Sequence, residues 1–243
     1  MKYFKILIIL IGMTYLHSKN VGLDLSLVAQ VPKGEFAEQE VPTGFGIDLN
    51  GLYFPVKELG VRELGFGLNL GYSVYGYSQR EIPFNYFTNL VTITEKTTNE
   101  LGYGHLFFRI VPFNGNIKPY FEGLVGLKNL STKTELVSNN CTDEDDNCQI
   151  AKSTNASDTV FSYGFGGGLQ VKLTTLEDEA GDPSGDLSFF INARYLMGSS
   201  AKYLKKGSIV YSEPEDGPVQ TSFNWNESKT DLLQLSIGIN FSF

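Results

Sequence analysis

From residue 23 to its last residue, the chain repeatedly alternates apolar and polar positions with a period of two. The final segment shows this most clearly. Leu233, Leu235, Ile237, Ile239, Phe241 and Phe243 alternate with Gln234, Ser236, Gly238, Asn240 and Ser242. Successive side chains of a strand point to opposite faces, so one face of this segment is wholly apolar and the other polar or small. Its length suits a tilted strand that crosses a membrane, which takes roughly 9–11 residues.

Seven further segments repeat the pattern. Leu23, Leu25 and Leu27 alternate with Asp24 and Ser26. Phe45, Ile47 and Leu49 alternate with Gly46, Asp48 and Asn50. Leu64, Phe66, Leu68, Leu70 and Tyr72 alternate with Gly65, Gly67, Asn69, Gly71 and Ser73. Near 101–111, Leu106, Phe108 and Ile110 fall on one face, His105 and Arg109 on the other. Near 118–130, Phe121, Val125 and Leu127 oppose Glu122 and Lys128. Phe161, Tyr163, Phe165, Leu169 and Val171 alternate with Ser162, Gly164, Gly166, Gln170 and Lys172. Leu187, Phe189, Ile191 and Tyr195 alternate with Ser188, Asn192 and Arg194.

Eight segments are an even number, as bacterial membrane barrels have. Their connections alternate too. Long polar stretches near 32–42, 78–98, 132–158 and 199–228 follow the odd segments, while the links at 55–62 and 113–116 are tight and the one at 174–186 is longer. The pattern predicts an all-β fold: an eight-stranded antiparallel up-and-down transmembrane β-barrel, long loops outside and both termini on the periplasmic side. A soluble lipocalin-like barrel also alternates, with its apolar face turned inward. Three features favour the membrane form. The small-residue face is rich in Gly and fits a narrow interior. It carries few Lys and Glu for a surface in water. The apolar face is too large and aromatic to fit inside eight strands.

Beginning at Met1, Lys2 and Lys5 precede an apolar run, Ile6 to Met13, and then Tyr15-Leu16-His17-Ser18. This is the layout of a signal peptide, and the run is too short for a spanning helix. Residues 1–18 are expected to be removed, leaving 19–243 as one barrel domain. No Cys lies near the cleavage region, which argues against a lipid anchor. The 26 Gly, 18 Phe and 13 Tyr argue against disorder. A net charge of −8 argues against nucleic acid as a partner.

The ending Leu-Gln-Leu-Ser-Ile-Gly-Ile-Asn-Phe-Ser-Phe (233–243) resembles the terminal strand of bacterial outer-membrane proteins. Gly65-Phe66-Gly67 and Gly164-Phe165-Gly166 are similar to strands of the small OmpA-like and OmpX-like barrels. The resemblance implies an outer-membrane location in contact with lipid. It also implies that Leu235, Ile237, Ile239, Phe241 and Phe243 form the signal read by the barrel-assembly machinery.

The candidate interior groups are Asp24, Asp48, His105, Arg109, Glu122, Lys128, Lys172 and Arg194. Buried charges need partners, because desolvation costs several kcal/mol per ion. An internal salt-bridge network that fills the bore is favoured over a selectivity ring, since eight strands leave room only for side chains. Catalysis has little to work with. His105 is the one histidine beyond the signal segment, and no Ser-rich signature flanks it. Cys141 and Cys148 bracket an acidic run, Asp143 to Asp146, and are expected to form a disulfide in an exported protein. The acidic run lacks EF-hand spacing, so no metal site is assigned. Tyr72, Tyr75 and Tyr195 are expected in an interfacial girdle, while Trp225 suits either a girdle or a binding loop.

These observations point to a structural and surface-display role, with loops available to an external ligand whose identity the sequence does not give. No enzymatic activity and no cofactor are expected. The alternatives are a narrow porin-like channel for small solutes or ions and, behind it, a lipid-modifying barrel enzyme.

Overall fold

Among the described residues, eight long strands form one closed antiparallel sheet. They are β1 (Val21–Pro32), β2 (Gly44–Leu59), β3 (Arg62–Phe84), β4 (Val91–Val111), β5 (Ile117–Ser138), β6 (Gln149–Glu177), β7 (Pro183–Gly198) and β12 (Leu232–Ser242). Consecutive strands pair in sequence order, and β12 pairs with β1 to close the ring. Closure leaves no sheet edge in the spanning region, so every backbone donor and acceptor there finds a partner without water. This computed structural model describes residues 20–59, 62–84, 91–113, 115–138, 149–178, 181–212 and 220–243. The signal-like residues 1–18, Cys141, Cys148 and the acidic run between them lie outside the described residues.

Period-two alternation becomes two distinct faces. Leu23, Leu25, Phe45, Ile47, Phe66, Leu68, Leu106, Phe121, Phe165, Ile191 and Ile237 are exposed on the outer wall. Asp24, Asp48, Asn69, Arg109, Glu122 and Arg194 are buried within. Small residues keep the bore narrow. Four inward glycines are covered by rings from neighbouring strands: Gly65 by Phe54, Gly67 by Phe107, Gly71 by Tyr103 and Gly168 by Tyr120. A side chain at any of these positions would compete with the ring for the same space.

The strands run well beyond the alternating segments. Residues 78–84 of β3 and 91–98 of β4 continue their ladder, as do 132–138 of β5 and 149–158 of β6. These stretches read as loops because alternation records a face in contact with lipid. Beyond the belt both faces meet water, and backbone pairing leaves no hydrophobic period. The link expected over 174–186 is also partly strand, since β6 runs to Glu177 and β7 begins at Pro183.

At the end of the barrel opposite the 174–186 link, the first and last connections fold over the bore. The first carries α1 (Glu35–Glu38). The last carries β8 (Ser200–Tyr203) paired with β11 (Asn226–Lys229), then β9 (Ile209–Ser212) paired with β10 (Gln220–Phe223). Phe36 of α1 is buried edge-on against Tyr203 at 5.2 Å and Tyr75 at 6.4 Å. Leu101, Leu130, Leu196 and Leu232 complete this apolar cap. Tyr75 is therefore not a girdle residue. Tyr72 faces outward, while Tyr75 keeps the inward phase of Asn69 and Ser73 and points into the cap; the bulge between Val74 and Gly76 changes the face only after it, so that Tyr77 is exposed.

Candidate functional site

Below the cap, five charged side chains from five strands meet in the middle of the bore. Arg109 of β4 stands opposite Glu122 of β5 in the ladder, with Nε 2.8 Å from Oε1. Its Nη2 reaches Asp24 of β1 at 2.7 Å. The second Glu122 oxygen lies 2.8 Å from Nε of Arg194 on β7. Arg194 Nη1 lies 3.5 Å from Asp48 of β2. The side chains are 0–2% exposed. Three carboxylates stand against two guanidiniums.

Neutral donors satisfy the remaining carboxylate lone pairs. Asn240 and Asn50 donate to Asp24, at 2.5 and 3.4 Å. Asn69, Tyr103 and Gln234 donate to Asp48, at 2.7, 2.8 and 2.9 Å. Asn192 donates to Glu122 at 3.1 Å. The Arg109 guanidinium also lies over the Tyr120 ring, 4.3 Å from its centre. Buried ions persist only when paired and hydrogen-bonded in this way. The charged groups of this lattice are committed to one another, while Ser26 Oγ, Gln30 Nε2, Asn192 Oδ1 and Gln234 Oε1 are buried without a partner among the described residues.

A second chain of hydrogen bonds follows one line of the ladder. Asp24, Asn50, Asn69, His105, Gly126 and Ser162 are registered on six successive strands. Asn50 donates to Asp24, and Asn69 donates to Asn50. His105 Nδ1 is 3.2 Å from Asn69 Oδ1, and its Nε2 is 3.0 Å from Ser162 Oγ. Gly126 lies between His105 and Ser162 in the register, and its lack of a side chain lets the imidazole reach across β5. A nucleophile, a base and an orienting group thus lie within bonding distance, an arrangement that resembles a hydrolytic triad. Burial argues against that use. Ser162 is 0% exposed and His105 and Asn69 are each 1% exposed, and all face the bore, away from lipid.

Lys128 and Lys172 stand apart from the five-charge network. Lys128 Nζ lies 2.5 Å from the Thr230 carbonyl oxygen and ties β5 to the link between β11 and β12. Lys172 sits partly exposed at the opposite end of the bore, 2.5 Å from Asp186. Both alternate inward, but the staggered strands carry them to different depths from the central carboxylates. Several interior groups carried no individual mark in the sequence. Tyr103, Phe107 and Tyr120 face inward, yet as aromatics they read like outward residues. Inward Asn50, Asn69, Asn192, Gln234 and Asn240 were legible as a polar face only.

On the outer wall of β12, Leu235, Ile237 and Ile239 are exposed, while Phe241 and Phe243 are partly covered. An apolar exterior around a buried lattice of charges decides between the two barrel types, because a soluble barrel reverses these faces. The fold is that of a small eight-stranded outer-membrane β-barrel. No family model and no curated protein matches the chain. Among solved structures, it is similar to neisserial surface protein A, with 14% identity, 92% of this chain and 96% of that chain covered, and a TM-score of 0.35. It is similar to Ail, the attachment invasion locus protein of Yersinia pestis, solved in complex with the heparin analogue sucrose octasulfate. There identity is 14%, coverage 92% and 97%, and TM-score 0.32. A major outer membrane protein from Thermus thermophilus gives 10% identity, 92% and 99% coverage, and a TM-score of 0.35.

Proposed function

We propose that this protein is exported and assembled into the bacterial outer membrane as a plugged barrel with a structural and surface-display role. In this reading residues 1–18 direct export and are removed. Leu235, Ile237, Ile239, Phe241 and Phe243 address the chain to the barrel-assembly machinery. The long connections face the exterior, where they meet external ligands or surfaces, and both termini lie in the periplasm. Cys141 and Cys148 form a disulfide that pins the tip of the third long connection.

The observation that carries this reading is the buried lattice of Asp24, Arg109, Glu122, Arg194 and Asp48 beneath an apolar cap. Ions cross a channel where polar groups are free to replace their water. Here the charged groups bind one another, which favours a structural plug over a porin-like path. Function then falls to the segments beyond the membrane belt.

Two measurements test this. Outer-membrane fractions run with and without boiling should show a folded band that shifts on heating. Purified barrel in planar bilayers should give no reproducible single-channel steps. Regular conductance steps would replace the display reading with transport, and a soluble periplasmic protein without a heat shift would remove both.

A further inference from the structure

Beyond the belt, β3 to β6 continue as a four-stranded sheet, and β6 forms one of its edges. β7 pairs with β6 only as far as Gly198 opposite Ser162. The Ser199 N–H then donates to the Phe161 carbonyl, and the Lys202 N–H donates to the Asp158 carboxylate at 2.8 Å. Further out, residues 149–157 pair with β5 alone among the described residues. Residues 149–154 are all exposed.

Along a strand, every second residue directs its N–H and C=O away from a given neighbour. Residues 149–157 therefore present a row of backbone donors and acceptors to water at the repeat of a β-strand. Another extended backbone matches that repeat, and a sugar or a lipid headgroup does not. The edge is also guarded against indiscriminate pairing. Lys152 projects from it and pairs with Glu135, and bulges bracket the regular run 151–154. The opposite edge of the sheet, β3 beyond Val74, carries Pro83, which has no N–H to donate.

A cleft of about 370 Å³ lies beside the β6 edge, lined by Leu136, Ala151, Ser153 and Phe223 among others. Its wall is mostly apolar. Its polar groups are engaged within the protein. Glu95 is nearly buried and receives Arg80 at 2.8 Å, and Asn155 donates to Thr134 at 2.6 Å. Side chains of a strand added to β6 would alternate between faces, so one set falls beside Ala151 and Ser153, over this cleft. A charged side chain there would lose water without gaining a partner, whereas an apolar one gains contact with Leu136 and Phe223.

We propose that an extended segment of a partner protein pairs with residues 149–157 as an added strand and places apolar side chains in the cleft. The proposal rests on the surface-display reading for its access to an external partner. Binding by the isolated barrel is independent of which way the protein faces.

The test uses the mature barrel folded in detergent. Its probes are nonapeptides that alternate Thr with Val, Leu or Phe between terminal Lys residues. Trp225 emission follows binding, because this one tryptophan lies beside Phe223 with ring centres 6.2 Å apart. Amide exchange read by NMR follows residues 149–157. At least one alternating peptide should bind saturably with a Kd of ~1 mM or tighter. Alternate amides of 149–157 should then exchange several-fold more slowly. Two N-methylated versions of that peptide, blocked at its odd or at its even residues, keep the same side chains. Only one edge of the peptide faces β6, so one version should lose about tenfold in affinity and the other should retain it. Ala151→Lys, at an exposed position on the cleft, should weaken binding about tenfold while the heat shift is retained. Four results overturn the proposal. They are no saturable binding of any alternating peptide, equal effects of the two methylation patterns, unchanged exchange over 149–157, and unchanged affinity in Ala151→Lys. Slowed exchange over 149–157 in the barrel alone, with a doubled mass, would give the edge to a second copy and overturn it as well. Protease access to 149–157 on intact cells separately reports whether this edge faces outward.

Discussion

Glu122 and Arg194 lie on strands that are not neighbours, yet Glu122 Oε2 is 2.8 Å from Arg194 Nε. β6 runs between them, and its residue at the crossing is Gly166, registered opposite both Glu122 and Arg194. The ion pair exists because that strand presents no side chain there. A Cβ at Gly166 would meet the Ala193 carbonyl at 2.6 Å and the Arg194 side chain at 2.7 Å. Gly166→Val should therefore separate the pair and destabilise the barrel by about 3 kcal/mol. The check is the urea midpoint of refolded barrel in lipid vesicles. A change below about 1 kcal/mol would show that the pair contributes little.

Removing one member of the network should cost more than removing an opposed pair. Arg109→Met leaves Asp24 and Glu122 without their shared cation and should destabilise by about 3–5 kcal/mol. Adding Glu122→Gln removes one of the stranded charges, so the double variant should recover part of that loss. The comparison is a double-mutant cycle in the same unfolding assay. Additive losses would mean that the two residues act independently.

The outward wall and strand number were legible because lipid contact imposes an unbroken apolar face on one side of every strand. The interior was legible only as residue types. Nothing local in Asp24 or Arg109, 85 positions apart, announces that they pair. The separation of Lys128 and Lys172 from the central charges depends on strand stagger, which alternation does not record. Tyr75 escaped because it is aromatic: it stands in the inward phase of Asn69 and Ser73, yet reads like a residue of the outer wall. Ser162 escaped because its distance to His105 depends on Gly126 in the strand between them.

The His105–Ser162 contact gives a chemical prediction. If this pair is a buried structural link, a fluorophosphonate probe will not label Ser162 in the folded barrel. His105→Ala should change no lipid-hydrolytic background and should lower stability by about 1–3 kcal/mol, because Asn69 and Ser162 each lose a partner. Mass spectrometry of probe-treated barrel reads the first outcome. Labelling of Ser162 that disappears in His105→Ala would reopen the enzyme reading.

The cap and the charge lattice should be separable. Phe36 is buried between Tyr75 and Tyr203, so Phe36→Ala should loosen the mouth at a cost of about 3–5 kcal/mol if the cap unfolds together with the barrel. Local loosening would appear instead as faster amide exchange in α1 and β8, with the urea midpoint nearly unchanged. In either case planar bilayers should stay silent, because the lattice below still fills the bore. Channels appearing only in Phe36→Ala would make the cap the gate of a latent pore.

The terminal strand offers a way to separate delivery from stability. Phe243 donates its backbone N–H to Val21 at 2.8 Å, a bond that any residue at this position can make. Its side chain is only partly covered, unlike the rings packed inside the bore. Phe243→Ser should therefore shift the unfolding midpoint of refolded barrel by no more than about 1 kcal/mol. If the ring is read during assembly, the amount of folded barrel in the outer membrane should nonetheless fall several-fold. Equal losses in both assays would make Phe243 a packing residue. Loss in cells alone assigns it to assembly, since the refolded barrel shows that its fold does not need the ring.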